Sequence, residues 1–338
     1  MIHGSVKSAQ ARNKENKATD LSGVRGIVSA VQTPFDAGGE LDPASLRRLV
    51  EDAIAAGVDG FLSTAVAGEV DTLSMAERAQ VIETITSIAG GRVPLIAGAS
   101  SNDVHECRAV AGLAVEMNAS AYLVGVPPPL YQTPEAILPF FQAVTDGIEL
   151  PLVIQDFELN GPGMDMRLIC ELKKHLPNLA GLKIETVPAG PKYTAVREAL
   201  GSDFWIAGGW AVQQFIEALD RGVDAMIPEA SMVRVYKRVQ VLYEQGRREA
   251  AETLFRRLLP ILAFTNQETA NSIAFFKTLL VRKGIFRTAG MRVDRPRWDG
   301  FSETVVDGLI DLYRDLEKDD NPGQGSRRHK WRSTGASC

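Results

Sequence analysis

From Gly26 onward, short apolar runs alternate with amphipathic stretches. Eight runs have the pattern of strands: Ile27–Gln32, Gly60–Ser63, Pro94–Ala97, Ala121–Val126, Pro151–Gln155, Gly181–Lys183, Phe204–Ala207 and Ala225–Ile227. Each is followed by a segment whose apolar positions recur with a helical period: Pro43–Ala56, Met75–Ala89, Val104–Asn118, Pro134–Asp146, Met166–His175, Tyr193–Leu200, Ala211–Asp220 and Met232–Tyr243. Asp42 ahead of Pro43, and Ser74 with Glu77 three residues on, are helix-start signals. Strands this short and continuously apolar suit a parallel sheet covered on both faces. Eight strand–helix units in succession predict an α/β fold of the (β/α)8 TIM-barrel type. An open dinucleotide-binding sheet fits less well, because no GxGxxG follows the first run and no Walker sequence occurs. Three more helical patterns, Glu249–Leu262, Glu268–Val281 and Ser302–Glu317, exceed what a barrel needs. They predict a block packed on its side or at a subunit interface.

This divides the chain into a polar leader (1–22), a barrel core (23–230), the last barrel helix with the C-terminal helical block (231–318), and a Gly/Ser/Arg-rich tail (319–338). Leader and tail read as disordered, and the leader has no apolar core of a secretory signal. The basic cluster Arg327-Arg328-His329-Lys330 reads as a solvated tail rather than an anion site. Composition is that of a globular protein, 45% hydrophobic and 23% charged, with a net charge of −5 that argues against nucleic acid as a principal partner. The three cysteines, Cys107, Cys170 and Cys338, show neither CxxC nor disulfide-framework spacing, which points to a reducing cytoplasm and no structural zinc. No apolar run approaches the length of a membrane span. The four histidines (His3, His105, His175, His329) fall in tails or helices, so no metal site is expected.

The candidate chemistry centres on Gly181-Leu182-Lys183-Ile184-Glu185. An ammonium is costly to desolvate, so a lysine within an apolar strand calls for a reason. A buried amine kept partly neutral can attack a ketone and form a Schiff base. Strand side chains alternate, so Glu185 faces the same way as Lys183 and can move protons beside it. A plain charge pair is the alternative. In a barrel, chemistry gathers at the C-terminal ends of the strands. Ser63-Thr64, Ala67-Gly68-Glu69, Pro127 to Tyr131, Gln155, Gly208-Gly209 and Glu229 all lie there.

The ordered set Thr33-Pro34-Phe35, Gly68-Glu69, Ile96-Ala97-Gly98, Pro128 to Tyr131, Leu150-Pro151-Leu152 and Gly181-Leu182-Lys183 resembles the dihydrodipicolinate synthase/N-acetylneuraminate lyase family. The resemblance runs from about Gly26 to Ala230. It implies a Schiff base at Lys183, no metal or organic cofactor, a small 2-keto acid as substrate, and a homo-oligomer, dimer or tetramer. It also implies a Gly68-Glu69 turn whose backbone N–H groups face the substrate carboxylate.

Four family positions depart. The tyrosine at the end of strand five, which relays the aldol proton, is Gln155; the paired threonines before Gly-Glu are Val66 and Ala67; the distal arginine falls at Asn160. A carboxamide does not titrate in water and cannot shuttle a proton as a phenol does. The combination of Gln155, Lys183 and Glu185 is similar to the 2-keto-3-deoxy-L-arabonate dehydratase branch, which implies dehydration of a 2-keto-3-deoxy sugar acid to 2,5-dioxopentanoate. Catalytic roles are thus expected at Lys183, Glu185 and Gln155, and substrate binding at Ser63, Thr64, Ala67, Gly68, Tyr131 and Gly208. Tyr131 can reach a neighbouring subunit's site or cap its Pro-rich turn. Open alternatives are a pyrroline-4-hydroxy-2-carboxylate deaminase, a 2-keto-3-deoxy sugar acid aldolase, and a catalytically silent keto-acid binder.

Overall fold

A computed structural model describes residues 19–318 apart from 159, 210 and 211. The tail and all but the last four residues of the leader lie outside that range, as does the Ala211 start expected for one helix. Leu21, assigned above to the leader, is buried at 3% exposure against Val24 and Trp205. Packing of an apolar side chain therefore begins before residue 23.

The strands are β1 Gly26–Ala30, β2 Gly60–Leu62, β3 Leu95–Gly98, β4 Ala121–Gly125, β5 Leu152–Asp156, β6 Leu179–Ile184, β7 Trp205–Gly208 and β8 Ala225–Met226. Each pairs in parallel with its sequence neighbour, and β8 closes onto β1 through Gly26↔Ala225 and Ile27↔Met226. The helices are α1 Pro43–Ala55, α2 Met75–Ala89, α3 Val104–Glu116, α4 Ile137–Thr145, α5 Met166–His175, α6 Gly190–Leu200, α7 Phe215–Asp220, α8 Val233–Glu244, α9 Arg248–Thr265, α10 Thr269–Arg282 and α11 Gly300–Lys318. The chain is a TIM barrel with additional C-terminal helices.

Strand alternation sorts the core into two layers. Val28, Ala30, Leu62, Ile96, Leu123, Val153, Ala180, Trp205, Ala207 and Ile227 fill the barrel lumen. Their neighbours Ile27, Phe61, Ala97, Tyr122, Ile154, Leu182, Ile184, Ile206 and Met226 face the helix layer. Both layers are apolar, so the strands read as continuous runs rather than as an alternation. Trp205 fills the floor of the lumen and donates its Nε1–H to Val24 O at 2.6 Å. The upper end is left to polar side chains.

Helix caps follow the expected chemistry. Asp42 accepts from the Ala44 and Ser45 N–H groups, and Ser74 forms a capping box with Glu77. The segment expected as Pro134–Asp146 opens with a 3-10 turn over Pro134–Ala136 before α4 begins. Pro191 sits in the first turn of α6, which starts three residues before the periodic pattern shows it. No described helix is long and apolar enough to cross a membrane.

Candidate active site

On β6, Leu182 and Ile184 belong to the helix-facing layer, so Lys183 projects into the lumen, and Glu185 follows it. Lys183 Nζ lies 2.9 Å from Glu185 Oε2. Gln155 stands beside Lys183 in the β5–β6 register, on the same inward face as Val153. Its Nε2 donates to the same Glu185 Oε2. A carboxylate only accepts, so the amide must present its NH2 there, and its Oε1 lies on the side of Gly125. Gln155, Lys183 and Glu185 are 4%, 5% and 8% exposed. One carboxylate thus bridges an amine and an amide where little water screens them.

One glycine makes room for this group: a Cβ at Gly209 would fall on the Glu185 carboxylate, whereas one at Gly125 would only touch Gln155 Oε1, at 3.7 Å. Gly208, expected to line the substrate, is turned away from the Lys183 group. Its Cβ position faces Met226 Sδ and Tyr193 Oη, and its carbonyl accepts from Ile227 N at 2.8 Å. The β7 ladder runs through Gly208, so alternation turns that residue to the helix layer and Gly209 inward. The second glycine of the pair is the one that opens space beside Glu185.

The strand-two loop also differs from expectation. Ser63 and Thr64 are fully buried. Thr64 Oγ1 donates to Gly98 O at 2.6 Å, and the residue has a φ of +39°, a strained value for a β-branched side chain. Its hydroxyl proton is therefore engaged with a backbone carbonyl rather than presented to a substrate. Val66–Gly68 forms a 3-10 turn in which Gly68 N donates to Ala65 O at 2.8 Å and Glu69 N to Val66 O at 3.0 Å. Those two N–H groups serve the turn, which corrects the expectation that they face a carboxylate. Ala67, half-buried, packs against the lumen cluster.

Tyr131 does not join the Lys183 group. Its phenol donates to Asp156 Oδ1 at 3.0 Å in the same chain, and burial and the Asp156 charge push its pKa far up. Asp156 follows Gln155 and so turns to the opposite face. It is fully buried and also accepts from Met164 N at 3.0 Å and from Lys192 Nζ, which donates in addition to Pro162 O at 2.7 Å. Burial raises the Asp156 carboxyl, with Lys192 pulling the other way. This hub ties the strand-four and strand-five loops to α6, and period-two alternation was the signal that could have separated it from Gln155. Tyr193 likewise donates to Ile184 O at 3.4 Å from the helix side, held protonated by burial and by Glu185. Glu229 accepts from Gln32 Nε2 at 2.7 Å and from Ser231 N at 2.6 Å. Among the described residues no group of three or more His, Cys, Asp or Glu converges as metal ligands.

An amine and a carboxylate at the mouth of a closed barrel invite comparison with known proteins. The model of the dihydrodipicolinate synthetase family matches residues 23–294. A 4-hydroxy-tetrahydrodipicolinate synthase of Acidiphilium cryptum is 31% identical over 70% of this chain and 81% of its own. An L-2-keto-3-deoxyarabonate dehydratase of Azospirillum brasilense is 28% identical over 81% of this chain and 87% of its own. Among solved structures, a dihydrodipicolinate synthase from Rhodopseudomonas palustris superposes with a TM-score of 0.80 at 23% identity, covering 87% of this chain and 99% of that one. A sialic acid aldolase from Ruminococcus gnavus gives 0.79 at 20% identity, over 88% and 98%. These structural likenesses establish the barrel, and the sequence match goes further: the chain belongs to the dihydrodipicolinate synthetase family of aldolases and lyases.

Proposed function

We propose that this chain is a Schiff-base dehydratase of 2-keto-3-deoxy sugar acids, converting 2-keto-3-deoxy-L-arabonate to 2,5-dioxopentanoate and water. One observation carries the reading: the group that shares Glu185 with Lys183 is the Gln155 amide, where an aldolase needs a titrating phenol. Tyr131 and Tyr193 donate elsewhere, to Asp156 Oδ1 and to Ile184 O, and not to the Glu185 group. The Azospirillum relative, matched over most of both chains, supports the same substrate class. A 4-hydroxy-tetrahydrodipicolinate synthase activity, the one the Acidiphilium relative is named for, is disfavoured by Val66, Ala67 and Gln155.

The chemistry follows from the geometry. Lys183, having lost a proton to solvent, attacks the C2 ketone, and the carbinolamine hydroxyl takes up a proton and leaves as water, giving an iminium with Glu185 still a carboxylate. The C3 hydrogens become acidic, and Glu185 removes one to give the enamine. The enamine expels the C4 hydroxyl, which leaves as water after taking that proton. The new C3=C4 bond is conjugated with the iminium; loss of a C5 proton and reprotonation along the chain turn the C5 alcohol into an aldehyde. Hydrolysis frees product and amine. Gln155 keeps the carboxylate aimed at C3 and can hydrogen-bond the leaving oxygen.

Borohydride trapping with 2-keto-3-deoxy-L-arabonate tests this. Mass spectrometry should find an adduct on the Lys183 peptide that lacks the elements of water, no adduct in Lys183→Arg, and an intact, undehydrated adduct in Glu185→Gln. Turnover by Lys183→Arg would refute the mechanism.

A further inference from the structure

The strand-two loop is held from outside the barrel by the C-terminal block. Lys277, on α10, pairs with Glu69 Oε1, and neither side chain is exposed at all. Lys277 Nζ also donates to Gly290 O at 2.8 Å, while Glu69 Oε2 accepts from Arg292 N at 2.7 Å and Val293 N at 2.9 Å. Phe35 packs against both cations, with Lys277 Nζ and the Arg292 guanidinium each 4.4 Å from its ring centre. Thr33 Oγ1 donates to Gly68 O at 2.7 Å, and a Cβ at Gly68 would come within 2.8 Å of Val31 O. Arg292 ties down the far end through Thr72 O at 3.1 Å. Glu69 itself sits at a φ of +57°, a conformation that its partners must maintain.

This anchoring bears on binding because of what the loop lacks. At Val66 and Ala67 no side chain can hydrogen-bond a carboxylate, so the donors left at these two positions are backbone N–H groups. A hydroxyl can rotate to find its acceptor, whereas a backbone donor is placed only by whatever holds the chain.

We propose that Glu69, Lys277 and Thr33 are positioning residues for the keto-acid carboxylate, so that the C-terminal helical block sets substrate affinity without touching substrate. This rests on the Schiff-base reading above. Burying two charges is a poor route to stability alone, since a well-packed apolar pair can do as well. A fixed loop position is what such a pair supplies here.

The test is borohydride labelling of Lys183 by pyruvate as a function of pyruvate concentration, with melting followed in parallel. The variants are the charge-removing pair Glu69→Gln/Lys277→Met and the near-isosteric Thr33→Val. Labelling should remain complete at saturating pyruvate in both. The half-saturating concentration should rise about tenfold in the double variant and about threefold in Thr33→Val. Half-saturation unchanged in Thr33→Val, or in a folded double variant, would overturn the proposal while leaving the Schiff base standing. A wild-type chain that pyruvate does not label would overturn the underlying reading and this one with it.

Discussion

At the scale of the residue, what matters is which face of a strand a side chain takes. Gln155 lies two places beyond the lumen residue Val153; Lys183 and Glu185 lie two and four beyond Gly181, which pairs with Val153 after the β5–β6 register shift. The same parity sends Asp156 and Gly208 outward. Gly209 then carries a specific expectation. It has no positive φ to protect, so alanine is tolerated by the backbone, but the added methyl would displace the Glu185 carboxylate. Gly209→Ala should leave melting nearly unchanged and lower turnover by about a hundredfold, the scale of a misplacement near 1 Å. Unchanged steady-state turnover would show that Glu185 is not where the proton moves. The Lys183–Glu185 pair was legible from period-two alternation, whereas Gln155 stood out through the family resemblance. The outward turn of Gly208 was not legible, because it needed to be known that the ladder continues through that residue. Thr64 escaped for a different reason: its engagement with Gly98 depends on a left-handed backbone that no pattern of apolar positions announces.

At the scale of the element, strands and helices were read to within a few residues wherever a cap or a proline marks the end. The helix starts that were missed are those where a turn precedes the periodic face, as at Pro134 and Gly190. Caps here do more than end helices. Glu77 closes the capping box of α2 and also binds Arg292 at 2.5 and 3.0 Å. The Arg292 hydrogen bonds hold its carboxyl down to about 2, below the 4.5 of a free glutamate. A depressed folded pKa means the stabilisation is complete above about 4.5 and is lost as the pH falls toward about 2. For this partly exposed pair it amounts to on the order of 1–2 kcal/mol after allowance for solvent screening. Urea midpoints of wild type and Glu77→Gln should therefore differ near neutrality and converge on acidification through that window. A gap independent of pH would mean that Glu77 acts through packing rather than charge.

At the scale of the whole molecule, the closed eight-stranded barrel followed from rhythm: eight short buried runs and eight helices admit few other parallel arrangements. The role of the remaining helices did not follow. Their amphipathic pattern shows that they pack, but the 208-residue separation of Glu69 and Lys277 hides the pairing that joins them to the strand-two loop. The Thr33-Pro34-Phe35 and Gly68-Glu69 motifs, which carry the family resemblance, belong to that junction and not to the group around Lys183. The central claim, that chemistry at Lys183 eliminates water instead of cleaving a carbon–carbon bond, is tested most directly by proton NMR of the protein with 2-keto-3-deoxy-L-arabonate in D2O. The account predicts 2,5-dioxopentanoate with deuterium at C3. Pyruvate and glycolaldehyde would contradict it, because they would require a base for the C4 hydroxyl that the Gln155 amide cannot be.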